Sequence, residues 1–457
     1  MVRGDRLRCG PMPTGSLISR AGDGIARWFV RWGAILPLLA AEFILWTGFG
    51  ALLPVMPLYF TENGVDLALL GVVIAAWPAA RLIAEPLFGM LADRAARVPL
   101  MVLGLVVAGA SVGAMAIWTA PVAFVALRAA SGLGTAMYDP AARGYLNDAA
   151  PAGRRGEVFG LYNAAQMGGI LLGPAIGGVG TALVGGYVFV LVLAAVASLV
   201  ASLAVAVRVP EIRVPHTRVT PPGSLAEFPG DLGPDLADTG RTTVAGHLAG
   251  EVPASLRNRF IAAAILVNLA GYFGGGLYET IWSLFVTDRG GGVELIGVTF
   301  ATFGLVTILV SPFGGRIVDR RGPFPFIIFG LLVMAVTMVA YPVTPDPLLY
   351  VPLVAVEAIG FSFLGPATYA VVARGTPAGR SSTAQGVLGA AGTIGTIAAA
   401  LATGVMAAVD LSLPFFVGSA AVTVLLAVTL VVSGPALRAM RPAARPSLDA
   451  PAGGTAR

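Results

Sequence analysis

Long apolar runs separated by short polar intervals dominate this chain. Windows of mostly apolar residues occur at approximately 34–60, 66–91, 99–119, 121–147, 157–181, 186–208, 259–286, 294–317, 323–343, 347–373, 382–408 and 412–434. A bilayer crossing needs about 20 such residues, so each window predicts one membrane-spanning helix, twelve in all. A transmembrane barrel would show ~10-residue segments of alternating character, and none are visible.

The polar intervals divide the chain into a basic tail (1–33), a six-span unit (34–208), a Pro- and Gly-rich charged linker (209–258), a second six-span unit (259–434) and a tail (435–457). Linker and final tail have no sustained period and read as flexible. The run GIARWFVRWG at the end of the first tail reads equally well as an amphipathic helix at the headgroups or as a plain basic tail. The apolar run after it is too long for a signal peptide and lacks an obvious cleavage site, so the tail reads as uncleaved.

The 29 basic residues are all arginine, and with the N-terminus inside, all but Arg81, Arg128 and Arg289 fall in the tails, the linker or loops on the inner side. The positive-inside rule therefore predicts that both termini are cytoplasmic and the protein sits in the cell membrane. The expected fold class is an all-α membrane protein of twelve transmembrane helices in two six-helix repeats.

Composition agrees: 56% of the 457 residues are hydrophobic, 12% are charged, and the mean hydropathy is +0.84. Gly 60 and Pro 33 would be odd in a soluble helical protein but are at home in membrane helices. The net charge of +5 follows from the arginine bias and gives no reason to invoke nucleic acid. The single cysteine, Cys9, lies in the tail, and the two histidines, His216 and His247, lie in the linker. Disulfides, Cys or His metal sites, catalytic triads and histidine relays are thereby excluded. No metal, no cofactor and no enzymatic activity is expected.

The two halves are related. A shift of 226 residues pairs Gly71 with Gly297, Gly89 with Gly315, Asp93 with Asp319, Arg94 with Arg320, Pro140 with Pro366, Arg154 with Arg380, Gly160 with Gly386 and Gly169 with Gly395, without a gap. Six spans separate the copies, so the repeat is parallel, as in transporters whose substrate site lies between repeats near the midplane.

Three local patterns carry a family resemblance. The loop after span 2 reads GMLADRAARVPL, with Gly89, Asp93, Arg94 and Arg97; a weaker echo, GGRIVDRRGPF, keeps Asp319, Arg320 and Gly322. Span 4 contains RAASGLGTA, beginning at Arg128. Span 5 contains GILLGPAIGG, placing Gly169, Gly173, Pro174, Gly177 and Gly178. Together with the repeat, these resemble the major facilitator superfamily over essentially the whole chain except tails and linker. The third string resembles the motif of its twelve-helix drug:proton antiporters.

The departures are Ala96 and Val98 in the loop, which leave it a less sharp turn and one charge poorer, and Ser131 where Gln is usual. The resemblance implies that Asp93 latches the outward-facing state at a helix N-terminus near Ser381 and Ser382, where unpaired N–H groups favour an anion. It also implies that Arg128 takes part in proton coupling. The small residues of 169–178 open a groove for a neighbouring backbone, and Pro174 allows a kink.

Ionisable residues inside apolar helices are functional candidates by default. They are Glu42, Arg81, Glu85, Arg128, Asp139, Glu279 and Glu357. Arg81 and Glu85, four apart, can pair with each other. Arg128 and Asp139 share a face but stand about 16 Å apart along the axis, so they cannot pair. Glu42, Arg128 and Asp139 are the candidates for proton coupling. Glu279 and Glu357 belong to spans 7 and 10, which with spans 1 and 4 line the central cavity in this superfamily. Trp46, Tyr138, Tyr272, Tyr278, Trp282, Phe361 and Phe363 are aromatic candidates near it. The conformational gates expected from the motifs are Gly89, Asp93, Arg94, Arg97, Gly169, Gly173, Pro174, Gly177, Gly178, Asp319 and Arg320.

The expected function is export of small amphipathic or apolar compounds in exchange for protons by a monomer. A metabolite or lipid exporter, uptake symport of a polar solute and a non-transporting receptor or scaffold remain as alternatives.

Overall fold

The structure, a computed structural model, describes residues 32–33, 35–151, 154–211, 257–377 and 381–440. Most of the basic tail, the bulk of the linker, most of the final tail and Arg380 lie outside these residues. Among the described residues the regular structure is helical throughout, with no strand.

Span 1 is two helices, α1 (Leu36–Leu52) and α2 (Met56–Glu62), bent by 49° at the break. Pro54 lies in that break and Pro57 in the first turn of α2, and a proline has no N–H to continue the preceding helix. The window at 34–60 gave no sign of it, since its hydropathy is uninterrupted.

Spans 2–6 are α3 (Leu67–Arg94), α4 (Arg97–Met115), α5 (Pro121–Ala149), α6 (Arg155–Val184) and α7 (Val188–Arg208). Spans 7–12 are α8 (Arg259–Asp288), α9 (Val293–Arg321), α10 (Phe324–Val343), α11 (Tyr350–Gly375), α12 (Ser381–Ala407) and α13 (Leu413–Arg438). Ten of these are by themselves long and apolar enough to cross a membrane, and the bent pair makes an eleventh span. The remaining helix, α5, is the least apolar because it carries Arg128, Asp139 and Arg143, yet its 29 residues pack between α3 and α4.

Local chemistry starts and stops the helices where side chains supply what the backbone lacks. Asp66 accepts from the Leu69 N–H at the start of α3, and Asn258 accepts from Phe260 and Ile261 at the start of α8. Gly185 ends α6 with φ at +78°, a conformation only glycine adopts freely.

Packing repeats with the sequence. In the first half α1 packs on α6 and α7, α3 and α4 on α5, and α4 on α7; the second half repeats these pairs as α8 on α12 and α13, α9 and α10 on α11, and α10 on α13. The halves meet through α3 with α12 and through α6 with α9, two contacts that exchange under the same repeat. Between lipid-bathed helices there is no hydrophobic driving force, so close backbone approach at small residues carries the packing.

Candidate functional site

The helix order puts both ends of the described chain and the two described ends of the linker on one membrane face, here the linker side; the other face is the far side. On the far side the halves touch at glycines. A methyl group built on Gly178 would lie 2.8 Å from the Cα of Gly297, and one on Gly404 2.8 Å from the Cα of Gly71. These two contacts are the same contact repeated, since Gly71 pairs with Gly297 and Gly178 with Gly404 in the 226-residue register. The linker-side glycines of the same four helices behave oppositely. A methyl on Gly160, Gly315 or Gly386 meets no described atom within 4 Å, and one on Gly89 meets only Pro140 of its own half. Among the described residues the halves are thus closed on the far side and parted at these glycines on the linker side.

Among the described residues one ion pair crosses the closed side: Arg128 Nη2 on α5 lies 3.3 Å from Glu279 Oε1 on α8. Arg128 is 1% exposed, and its other polar contact is a 3.4 Å bond from Nη2 to the Ile74 carbonyl of α3. Its Nε has no hydrogen-bond partner. A guanidinium buried this deeply needs a counter-charge, and the counter-charge comes from the opposite half.

Asp139, on the same helix, pairs with Arg81 instead, and Arg143 Nη2 stands 4.0 Å from it. Arg81 also reaches Glu85 at 3.4 Å, as its spacing foretold, and Arg143 reaches Glu85 at 3.6 Å. The result is a four-residue charge cluster between α3 and α5, towards the linker side. Arg143, which in the sequence looks like one more inner-side loop arginine, is its most open member, with 48% of its side chain exposed. Tyr272 of α8 is 54% exposed and Tyr369 of α11 is 60% exposed, so the second half offers aromatic surface.

Glu42 is fully buried inside the first half. It accepts hydrogen bonds from Trp46 Nε1 (2.8 Å), Tyr138 Oη (2.8 Å) and Gln166 Nε2 (3.2 Å). Trp46 and Tyr138 therefore sit inside one half, as partners of this carboxylate. Glu357 has a matching setting in the second half, accepting from Tyr278 Oη (2.7 Å) and Tyr341 Oη (2.6 Å). Trp282 donates to Thr299 Oγ1 at 2.9 Å and packs against Tyr341, Tyr350 and Phe415. Phe363 stacks on Phe326, while Phe361 is half-exposed beside Phe303. Gln166 and Tyr341 were not singled out in the sequence, because a neutral polar residue within an apolar helix carries no signal until a carboxylate is placed beside it.

The span-5 string divides its glycines between two neighbours. A methyl at Gly169 would lie 2.6 Å from the Phe43 carbonyl, one at Gly173 2.6 Å from Gly50 Cα, and one at Gly177 would collide with the Ala51 carbonyl, so these three seat α6 against α1. Gly178 faces α9 across the halves. Pro174 lies inside α6, which runs unbroken from Arg155 to Val184.

The loop after α3 is held from both sides. Arg97 pairs with Asp148 at the end of α5 and donates to the Ala92 carbonyl. Glu211, just beyond α7, accepts from the Arg97 and Val98 backbone N–H groups at 3.0 and 2.9 Å, capping α4 where Ala96 offers no side-chain acceptor. Ala96 stands at φ −62° whereas its repeat partner Gly322 stands at +84°, so only the second copy turns through the glycine region. Asp93, Arg94, Asp319 and Arg320 are exposed at this side. The side chains of Ser381 and Ser382 lie outside the described residues. Among the described residues no cluster of ligating side chains fit for a metal ion occurs.

Comparison with known proteins agrees with this architecture. The chain is 29% identical over 136 residues to the quinolone resistance protein NorA of Staphylococcus aureus, a match covering 30% of this chain and 35% of NorA. It is 27% identical over 291 residues to the staphyloferrin B transporter of the same organism, covering 62% of this chain and 64% of that protein. Both matches span less than two thirds of the relative's length. Among solved structures, a bacterial homolog of the human lysosomal transporter Spinster, in an inward-facing and occupied conformation, superposes with a TM-score of 0.69 at 16% identity, covering 90% of this chain and 97% of that one. The nucleoside transporter NupG superposes with a TM-score of 0.68 at 14% identity, covering 87% and 98%. At such identities the likeness is one of fold. The sequence itself matches the Major Facilitator Superfamily over residues 38–288 and 264–454, and the chain belongs to that family of membrane transporters.

Proposed function

We propose that this protein exports small amphipathic or apolar compounds in exchange for protons, with its linker side in the cytoplasm. The observation that carries the reading is the Arg128–Glu279 pair, the ion pair that joins the halves on their closed side. While Glu279 is ionised it holds the far side shut, so an empty, deprotonated carrier stays closed. Substrate entering from the linker side must draw Glu279 away from Arg128 before the far side opens. A proton from the far side then occupies Glu279, and as the halves close again Arg128 re-forms the pair by displacing that proton towards the open linker side. Binding energy and proton are thereby spent on one element with two arrangements, as coupling requires.

Glu42 and Asp139 form a second proton-handling region inside the first half in this reading. Asp93 latches the alternate, outward-open state when the linker-side faces meet. The 169–178 string and the similarity to NorA support export of drug-like compounds. The exposed Arg143 guanidinium supports a second reading, a metabolite exporter, because a polar or anionic cargo would find a counter-charge there.

Inside-out vesicles carrying the purified protein test both. Acidifying the lumen should drive accumulation of lipophilic dyes, and Glu279→Gln should abolish the dependence on the gradient. Accumulation of metabolites alone would favour the second reading. Accumulation of nothing would remove transport by this route.

A further inference from the structure

The Arg128–Glu279 bond joins helices of opposite halves, so it breaks whenever the far side opens, and Arg128 must then keep its charge inside the membrane with partners from its own half. Two are in place on α3: the Ile74 carbonyl, 3.4 Å from Nη2, and the face of Trp77, whose ring centroid lies 5.9 Å from the Arg128 Cζ. The same indole carries Arg81, with Cζ 4.8 Å from the ring. It is therefore a shared platform between the inter-half pair and the four-residue charge cluster. Phe49 packs against it at 5.0 Å, fixing the ring from α1. The indole also walls a small cavity inside the first half with Trp46, Phe49, Ser131 and Thr135. The ionisable groups around this platform are Arg81 and Glu85 on α3, Arg128, Asp139 and Arg143 on α5, and Glu279 on α8.

We infer that Trp77 is a positioning residue that holds the Arg128 guanidinium on the first half when its bond to Glu279 is broken. The inference rests on the proposed coupling through that pair. An aromatic face attracts a cation most strongly where water is scarce, and a ring attached to the same half as the arginine moves with it through the cycle. Without the ring, the freed guanidinium keeps a single carbonyl, and the far-open state becomes harder to reach. Arg81 and its partner Asp139 belong to the same half, so the platform has one cation tied within that half and one whose counter-charge lies in the opposite half.

Three substitutions test this in vesicles. Trp77→Leu should lower gradient-driven accumulation about tenfold or more, the factor expected from losing a desolvated cation–π contact, while equilibrium binding of the same dye stays within about twofold. Trp77→Phe keeps a π face and should retain most of the transport. Site-specific replacement of Trp77 by mono-, di- and trifluorotryptophan leaves the shape nearly unchanged while draining the ring face of negative potential, and transport should fall stepwise with fluorine number. Wild-type transport by Trp77→Leu, or a flat fluorination series, would overturn the assignment. So would dye binding that falls in parallel with transport, since the ring would then be a substrate contact. If Trp77→Leu fails to fold, the fluorinated series still decides. Glu279→Gln that accumulates dye like the wild type would instead refute the coupling reading, a result independent of the tryptophan series.

Discussion

The far-side seal gives the sharpest test of alternating access, because it is built from backbone and tolerates no side chain. Gly178→Ala places a methyl 2.8 Å from the Cα of Gly297 and 3.2 Å from the Val293 carbonyl. Carbon atoms pack at about 3.5–4.0 Å, so the methyl is roughly 0.7 Å or more too close. Gly71→Ala repeats the conflict at the symmetric contact, against the Ala400 carbonyl and the Cα of Gly404. Overpacking of this kind costs about 1–3 kcal/mol. The cost falls only on the far-closed state, since opening that side parts the helices. Each substitution should therefore shift the conformational equilibrium towards the far-open state by about 5- to 150-fold. The two sites are separate, so their effects should roughly add. Spin labels at Gly160→Cys and Gly315→Cys, in a Cys9→Ser background, report the linker-side gap from positions whose surroundings are open. The expected result is a shorter label-to-label distance in Gly71→Ala/Gly178→Ala. Gly275→Ala, whose methyl would meet nothing within 4 Å, serves as the control and should leave the distance unchanged. An identical distance distribution in seal variant and control, both folded, would refute the seal.

Three further outcomes are expected. Glu42→Gln should keep substrate binding and lose gradient-driven accumulation in vesicles, because the amide cannot cycle charge; its NH₂ also meets a donor that the carboxylate satisfied, so a thermal melt should show about 1–3 kcal/mol of lost stability. Gly173→Leu drives a side chain into Gly50 and Ala51 of its own half, so it should lower the melting temperature and abolish transport while membrane insertion, read by fractionation, persists. Glu211→Ala leaves the first N–H groups of α4 without their carboxylate, and should cost about 0.5–2 kcal/mol by thermal melt, partly recovered in Glu211→Gln.

Much of this protein was legible in one dimension. Span number, the polar intervals and the parallel repeat follow from hydropathy and a single 226-residue register, because a helix in lipid must satisfy its backbone internally and present apolar residues almost everywhere. The intramembrane charges stood out for the same reason, and geometry along one helix already forbade an Arg128–Asp139 pair.

What tertiary structure alone decided is which charge meets which. Arg128 takes Glu279, 151 residues away and in the other half, while Asp139 takes Arg81. Nothing in local spacing distinguishes these choices from the alternatives. Glu42 and Glu357 looked alike in sequence to Glu279, yet they are buried within single halves against tyrosines, because the rotation of each helix about its axis is set by neighbour packing. The bend at Pro54 and the open linker side were equally hidden. A proline in an apolar run can be absorbed or can break the helix, and a carrier's two states share one sequence, so only the placement of the halves shows which contacts are made.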